Sequence, residues 1–494
     1  MHTAMRRHAG VLLHPTSLPG PGPCGDLGEG AIRFLDWLAE AGCTLWQTLP
    51  LNPPGGGFSP YGSPSSFAGA THLISVDRLV AEGLLRVDEL DGRPHHPHRV
   101  DTDALDAWHA PLVTRAARRL CDEDAASVSA FKADNPWAVD WALFELIRTE
   151  LRVDGWWGFP DGLRARDRTE LDKVLDEHGG RIDELIAAQM IFARQWSAIR
   201  RAAQIRNIEI VGDIPIFVAG DGCDTWCDRD LFRWGADGRP DPVSGAPPDQ
   251  FSDIGQRWGG PLYDWPAHIR TDFAWWTRRI KAALSLVDHL RVDHFRGFAA
   301  AWEIPATAQD ARSGAWGRSP GSELFATVRK NLGRLPIFAE DLGIITPDVE
   351  ALRKELGIPG MKVLQFAFGD EADHEYLPHN YDGTGWVAYT GTHDNDTAIG
   401  WYHSSPHKIQ HRYRVYCGRD GSEPGWDLIR TAWASTAQWA ITPAQDVLGL
   451  GGDARMNTPG TATGNWRWRA SDLPLHAAHR LAELGWVYGR KAVG

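Results

Sequence analysis

The chain has 494 residues, 43% of them hydrophobic, which is enough for a large core with insertions or a second domain. Its formal net charge of −13 disfavours nucleic acid and anionic membranes as partners. No stretch reaches the ~20 apolar residues of a membrane helix, and the apolar run before His14 is too short for a secretory signal. We therefore expect a cytoplasmic protein.

Eight short apolar runs bounded by turn residues are typical of buried β-strands. They are Val11–His14, Leu45–Pro50, Ile208–Val218, Leu286–Phe295, Pro336–Leu342, Met361–Phe368, Gly385–Thr392 and Asp446–Leu450. Amphipathic helical patterns lie between several of them, at Ala31–Ala41, Phe273–Leu284, Ser322–Leu332 and Asp427–Ala440. Strands that alternate with helices predict parallel βαβ units, and eight such units predict a (β/α)8 TIM barrel of the α/β class.

Uneven gaps between the runs locate large insertions around the barrel. The longest gap contains helical patterns at Ala104–Cys121 and Trp137–Leu151, so we predict a mainly helical insertion subdomain over 70–180. The later pattern Arg181–Gln204 is assigned to the barrel. Residues 219–270 are rich in Gly, Pro, Asp and Trp, which predicts an insertion with a loop covering the active site. We expect a single catalytic domain over 1–494 without a C-terminal β-sandwich domain.

Tryptophan is unusually frequent, with 24 copies. Seven stand beside Gly, Pro, Asp or Asn in predicted loops, namely Trp226, Trp234, Trp258, Trp265, Trp316, Trp466 and Trp468. Core packing explains any one of them, but the set favours a carbohydrate groove, because flat aromatic rings suit the apolar faces of sugars. The six cysteines are scattered, and Cys223 and Cys227 lack a second pair, so neither a disulfide framework nor a metal site is predicted.

Three carboxylates stand at the ends of predicted strands: Asp293 at the fourth, Glu340 at the fifth and Asp394 at the seventh. Because the C-terminal ends of barrel strands face one site, these side chains are expected to converge. Two such acids can cleave a glycosidic bond, one as proton donor and one as nucleophile or base. Arg291 lies on the same strand face as Asp293 and would keep it ionised. Burial and the neighbouring Asp341 would raise the pKa of Glu340.

Each acid also has a purely structural interpretation. Asp293 could form only an ion pair with Arg291, Glu340 could cap the next helix, and Asp394 could belong to a polar turn. Two other functions stay open. One is a non-catalytic glucan-binding protein with an aromatic groove, and the other is a metal-dependent hydrolase that uses the pairs Asp293-His294 and His393-Asp394.

Eight short segments that contain polar residues follow one another along nearly the whole chain. They are Leu13–Pro19 (LHPTSLP), Ser59–Ser65 (SPYGSPS), Gly212–Ile216 (GDIPI), Gly255–Gly259 (GQRWG), Arg291–Gly297 (RVDHFRG), Ala339–Gly343 (AEDLG), Gly391–Asp396 (GTHDND) and Arg455–Gly460 (RMNTPG). In this order they resemble the amylomaltases, which are the 4-α-glucanotransferases of glycoside hydrolase family 77 in the α-amylase superfamily.

The resemblance implies a retaining 4-α-glucanotransferase that works through a covalent β-glycosyl-aspartate intermediate and needs no cofactor. Its implied partners are maltooligosaccharides and α-1,4-glucans, as donors and as acceptors at the 4-hydroxyl. Asp293 would be the nucleophile, Glu340 the general acid/base and Asp394 the transition-state stabiliser. The implied substrate-binding residues are Tyr61, Asp213, Gln256, Trp258, Arg291, His294, His393, Asp370 and Asn457.

One rival uses the same constellation: an α-amylase-like hydrolase in which water replaces the acceptor sugar. The segments around Tyr61 and around Gln256 and Trp258 favour transfer. Two positions depart from the family pattern, since Gln250 replaces a frequent aromatic or apolar residue and Gly260 replaces a frequent asparagine. Both fall in the loop predicted to cover the groove, so they bear on loop closure and acceptor preference.

Overall fold

A computed structural model describes residues 7–248, 252–369, 371 and 373–491. Eight parallel strands form one sheet, in which the first strand lies between the second and the eighth. Barrel strands one to eight are His8–Leu12, Leu45–Gln47, Glu209–Pro215, His289–Asp293, Ile337–Ala339, Gly360–Val363, Trp386–Tyr389 and Trp439–Pro443. The Ala339 N–H donates to the Pro359 carbonyl at 2.9 Å, which joins the fifth strand to the start of the sixth. The predicted (β/α)8 TIM barrel is confirmed.

The interior of the barrel is filled by side chains. A buried cluster takes residues from the barrel strands and the segments that follow them: Leu12, Leu45, Leu49, Val211, Phe338, Met361, Val363, Val387, Tyr389, Trp439, Ile441, Met456 and Trp466. The Tyr389 hydroxyl donates to Gln47 Oε1 at 2.7 Å within this core, so its polar atom is paired. Because the barrel is packed rather than open, polar groups can gather only at its ends.

The predicted position of the eighth strand is wrong. The strand is Trp439–Pro443, which overlaps the end of the predicted helix Asp427–Ala440, while Asp446–Leu450 begins inside the helical turn Ala444–Val447. The helix itself ends at Ala434. All five strand residues are buried, so the run has no period of two that would separate it from the preceding helix.

Helices surround the barrel and fill the long gap between its second and third strands. The α-helices are Glu29–Glu40, Val76–Ala81, Thr102–Ala104, Ala110–Glu123, Ala125–Asp134, Trp137–Leu151, Asp161–Arg164, Arg168–Ile205, Cys223–Cys227, Trp265–Arg270, Ala274–Leu286, Gly321–Leu332, Pro347–Leu356, Ala398–Ser404, His407–Cys417, Pro424–Ala434, Ala444–Val447 and Leu475–Val487. The helix Arg168–Ile205 begins well before the predicted Arg181 and contains a non-helical residue at His178. Among the residues given above, no helix is both long and apolar enough to cross a membrane.

A second, antiparallel sheet of four strands stands beside the barrel. Its order is Gln256–Pro261, Val243–Ala246, Ala300–Ile304 and Ala315–Arg318, and it has a small core of Val243, Ile304 and Ala311. Two strands come from the segment after the third barrel strand and two from the segment after the fourth. The sequence predicted irregular loops there, because these short strands include four glycines and show no alternation. The proposed boundaries of the insertions, 70–180 and 219–270, stay predictions.

Candidate active site

A buried arginine joins two aspartates at the carboxyl ends of neighbouring barrel strands. Asp213 of the third strand and Arg291 of the fourth are paired in register, and Arg291 Nη1 lies 2.6 Å from Asp213 Oδ2. The other guanidinium nitrogen, Nη2, lies 2.8 Å from Asp293 Oδ1, and the Tyr61 hydroxyl donates to Asp213 Oδ2 at 2.7 Å. Burial raises the pKa of Asp213, while the Arg291 charge opposes the rise. The network therefore fixes Arg291 from two sides and places its charge beside Asp293.

Glu340 follows the fifth strand and is held by backbone rather than by a cation. Its Oε2 accepts the His294 N–H at 2.7 Å, and its Oε1 accepts the Leu342 N–H at 2.9 Å. His294 adopts a left-handed conformation with φ 49°, which ends the fourth strand and turns this N–H toward Glu340. Burial and then the negative charge of Asp293 raise the pKa of Glu340 to about 8, against Arg291 and the two N–H groups. These surroundings therefore favour the protonated form of Glu340.

The raised pKa of Glu340 was predicted, but part of the predicted cause is wrong. The neighbouring negative charge belongs to Asp293, not to Asp341. Asp341 Oδ2 lies 3.1 Å from Arg353 Nε, and its Oδ1 accepts the Met361 N–H at 2.7 Å. Because consecutive side chains of an extended segment point to opposite sides, Asp341 packs into the fold while Glu340 lines the cleft.

Asp394 is positioned by the segment that follows the eighth strand. Its Oδ1 accepts the Asn457 amide at 2.6 Å, and its Oδ2 lies 3.3 Å from His393 Nε2. Arg455 donates to the Asp394 carbonyl at 2.6 Å and to the Asn457 carbonyl at 2.7 Å, so it ties the two segments together. Sequence reasoning missed Arg455, although it begins one of the segments that carried the resemblance.

Aromatic rings stand on both sides of these acids. Tyr61 stacks on His393 with ring centroids 5.0 Å apart, and Trp466 tilts against both at 5.7 Å. On the other side Trp258 meets His294 edge to face at 4.7 Å, and its Nε1 donates to Gln256 Oε1 at 3.2 Å. The site thus combines acids with flat apolar faces.

The three acids line one cleft of about 980 Å³. Most of the predicted binding residues line it too: Tyr61, Gln256, Trp258, Arg291, His294, His393 and Asn457. Asp213 lies behind Tyr61 and Arg291, whereas Asp370 and Gln250 lie outside the described residues. Of the seven predicted loop tryptophans, Trp258, Trp316 and Trp466 line the cleft, while Trp226 is part of the main hydrophobic core. Trp157 also lines the cleft and was not predicted.

The glycine at position 260 has a steric reason. It lies in the edge strand Gln256–Pro261, and a Cβ built there would be 2.8 Å from the Val218 carbonyl oxygen and 3.2 Å from Ser244 Oγ. A side chain at this position therefore requires the strand or the Val218 carbonyl to shift. The described residues contain no group of three or more His, Cys, Asp or Glu side chains arranged to hold a metal ion.

Comparison with known proteins gives the family of this chain. The family model described as 4-alpha-glucanotransferase matches residues 13–475. A 4-alpha-glucanotransferase from Thermus thermophilus is 45% identical over 96% of this chain and 96% of its own. A chloroplastic/amyloplastic one from Arabidopsis thaliana is 44% identical over 98% of this chain and 86% of its own. An amylomaltase from Streptococcus agalactiae, solved in complex with acarbose, has a TM-score of 0.95 at 36% identity and covers 99% of this chain and 100% of its own. This chain belongs to the 4-alpha-glucanotransferase family.

Proposed function

We propose that the protein is a retaining 4-α-glucanotransferase that acts on α-1,4-glucans with Asp293, Glu340 and Asp394 as its catalytic residues. The observation that carries this proposal is the different setting of two acids in one cleft. Asp293 is paired with a buried arginine, whereas Glu340 is held by two backbone N–H groups and has a raised pKa. Two carboxyl groups with such different surroundings suit the roles of nucleophile and proton donor.

In the first step Asp293 attacks the anomeric carbon of the donor glucan. The bond from that carbon to the 4-oxygen of the next glucose breaks, and Glu340 gives its proton to this oxygen. The products are a β-glycosyl ester of Asp293, a shortened glucan that leaves, and an ionised Glu340. Arg291, held by Asp213, keeps Asp293 in place for the attack.

In the second step an acceptor glucan or glucose enters with its 4-hydroxyl toward the ester. Glu340 removes the hydroxyl proton, the acceptor oxygen attacks the anomeric carbon, and Asp293 leaves as a carboxylate. Two inversions restore the α-1,4 linkage. Asp394, oriented by Asn457 and His393, is placed to hold hydroxyls of the distorted sugar. Tyr61 and Trp258 offer aromatic faces on the two sides of the cut.

Product analysis with pure maltotriose tests transfer against hydrolysis. Transfer yields glucose and a ladder of longer maltodextrins without a net rise in reducing ends. Hydrolysis yields rising reducing ends and no ladder, and that result would assign the protein to α-amylase-like enzymes. Activity that persists with a chelator present removes the metal-dependent alternative.

An Asp293→Asn variant tests catalysis against simple glucan binding. Loss of a covalent nucleophile is expected to lower turnover by about 10⁴-fold or more. Maltoheptaose binding, measured by calorimetry, should survive because the aromatic faces remain. Turnover close to that of the unchanged protein would contradict the role of Asp293.

We further propose a cytoplasmic location, with maltooligosaccharides and longer α-1,4-glucans as the physiological donors and acceptors. The relative from Arabidopsis thaliana is named as chloroplastic/amyloplastic, so the compartment needs its own test. Fractionation of cells that produce the protein, with enzyme markers for each compartment, provides it.

A further inference from the structure

Trp316 is an exposed indole that lines the cleft from an edge strand of the four-stranded sheet. It is 38% exposed and lines the same cleft as Asp293 and Glu340. Most large aromatic side chains of the fold are buried, and the other tryptophan with comparable exposure in this cleft is Trp258, at 43%. Exposing an indole costs free energy relative to burying it, by an amount that scales with its apolar area. An exposed ring inside a substrate cleft therefore needs an explanation.

The ring is fixed on one face by a buried cation. The Arg296 guanidinium carbon lies 3.5 Å from the Trp316 ring centroid, and Arg296 is 4% exposed and donates to the Ile344 carbonyl. Trp302, its partner in the antiparallel hairpin, meets Trp316 edge to face at 4.8 Å. A cation over one face and an aromatic edge at the side hold the indole in one orientation. Because Trp316 is still 38% exposed, its exposed area lies mainly on the face that Arg296 does not cover.

Trp316 and Trp258 stand at different places along the cleft. They belong to the two edge strands of the four-stranded sheet, Ala315–Arg318 and Gln256–Pro261, with two strands between them. Three interstrand steps of about 4.8 Å separate the two backbones by roughly 14 Å. Trp258 contacts His294, next to the nucleophile, whereas Trp316 stacks on Arg296. The two rings therefore cannot serve the same glucose unit.

We propose that Trp316 is a stacking platform for a glucose unit several positions from the cut bond, and so determines preference for glucan length. The proposal rests on the proposed transferase function. A glucose ring presents apolar C–H groups on its face, and an indole held flat by Arg296 binds such a face without losing side-chain freedom. A glucan long enough to reach Trp316 gains affinity that a shorter one lacks.

The test compares maltotriose with maltoheptaose. Trp316→Ala and Trp316→Leu remove the flat face, Trp316→Phe keeps one, and Trp486→Ala removes a tryptophan that is 73% exposed on the helix Leu475–Val487. Affinities are measured by calorimetry in the Asp293→Asn background, and KM is measured in the active enzyme. We expect the ratio of maltoheptaose to maltotriose affinity to fall about threefold to tenfold in the Ala and Leu variants, the range of an aromatic contact. The Phe variant should retain most of the ratio, and Trp486→Ala should not change it.

Two results would overturn the proposal. An unchanged ratio in Trp316→Ala would show that no sugar reaches the ring. An equal loss for both glucans, with a lower melting temperature, would show that Trp316 only covers Arg296. Neither result bears on the transferase assignment, because the maltotriose ladder of the unchanged enzyme tests that separately.

Discussion

The mouth of the barrel and the sheet beside it form the same cleft in opposite ways. At the mouth, Arg291 and Asp213 are almost fully buried and bonded to one another, and Glu340 is held by two backbone N–H groups. In the sheet, the cleft-lining Trp258 and Trp316 are more than a third exposed and contact mainly other rings or a single cation. The first region fixes charges at set positions, and the second offers apolar area.

Under the proposed function, this difference separates the residues that act on the reacting bond from those that bind the glucan. Charges held in a low-dielectric network act on the bond that breaks, so their loss should lower kcat. Aromatic faces that bind substrate and transition state alike should affect KM instead. The following predictions, from the largest effect to the smallest, either sharpen this division or break it.

Glu340→Gln should lower kcat by roughly 10²- to 10⁴-fold with natural glucans, because no proton reaches the leaving oxygen. A maltosyl donor with a fluoride leaving group needs no such proton, so the formation of the covalent intermediate should recover with that donor. The burst of fluoride release, recorded by stopped flow with the donor in excess over the enzyme, measures this step. If the fluoride donor is no faster than maltotriose, Glu340 is not the acid and the division between the two regions fails at its main point.

Arg455→Ala should lower kcat by about 10- to 100-fold, the effect typical of a lost positioning contact. Arg455 lies in a segment outside the barrel strands, yet it holds the backbone of Asp394. Arg455→Lys keeps the charge and one hydrogen bond and should recover part of the rate. Arg312→Ala, which removes an exposed ion pair with Asp310, is the matched control. An effect of Arg455→Ala on KM alone would place this residue with Trp258 and Trp316, among the groups that bind the glucan.

The pH profile gives the smallest effect. Glu340 must be protonated to donate, and its pKa of about 8 means that kcat/KM should fall above pH 8, about tenfold per pH unit. Below pH 8 the protonated form dominates, so the decline of kcat/KM caused by deprotonation of Glu340 is absent. With the fluoride donor the decline above pH 8 should disappear, because a fluoride leaving group does not need the proton of Glu340. If kcat/KM with natural glucans already falls as the pH rises above 5, the result would contradict the environment described for Glu340.

The sequence predicted the residues at the mouth of the barrel far better than the four-stranded sheet beside it. Asp293 and Glu340 stand at the ends of short apolar runs, and parallel strands bring such ends together whatever the loops do. In the hairpin that carries Trp316, this ring packs on Arg296 and meets its cross-strand partner Trp302, and no local sequence pattern reveals contacts at such separations. Trp157, in the long segment between the second and third barrel strands, was missed because no local pattern shows that it lines the cleft. The eighth strand was misplaced because its buried residues continue the composition of the helix before it.

The bond from the His294 N–H to Glu340 has a consequence for how such enzymes can be redesigned. It connects the end of one barrel strand directly to the acid after the next, so the relative position of the Asp293 and Glu340 carboxyl groups is an internal property of the scaffold. Replacement of whole surface segments, made to change product size, leaves this link intact. The four-stranded sheet that carries Trp258 and Trp316 can therefore change in sequence while the proposed reaction stays the same.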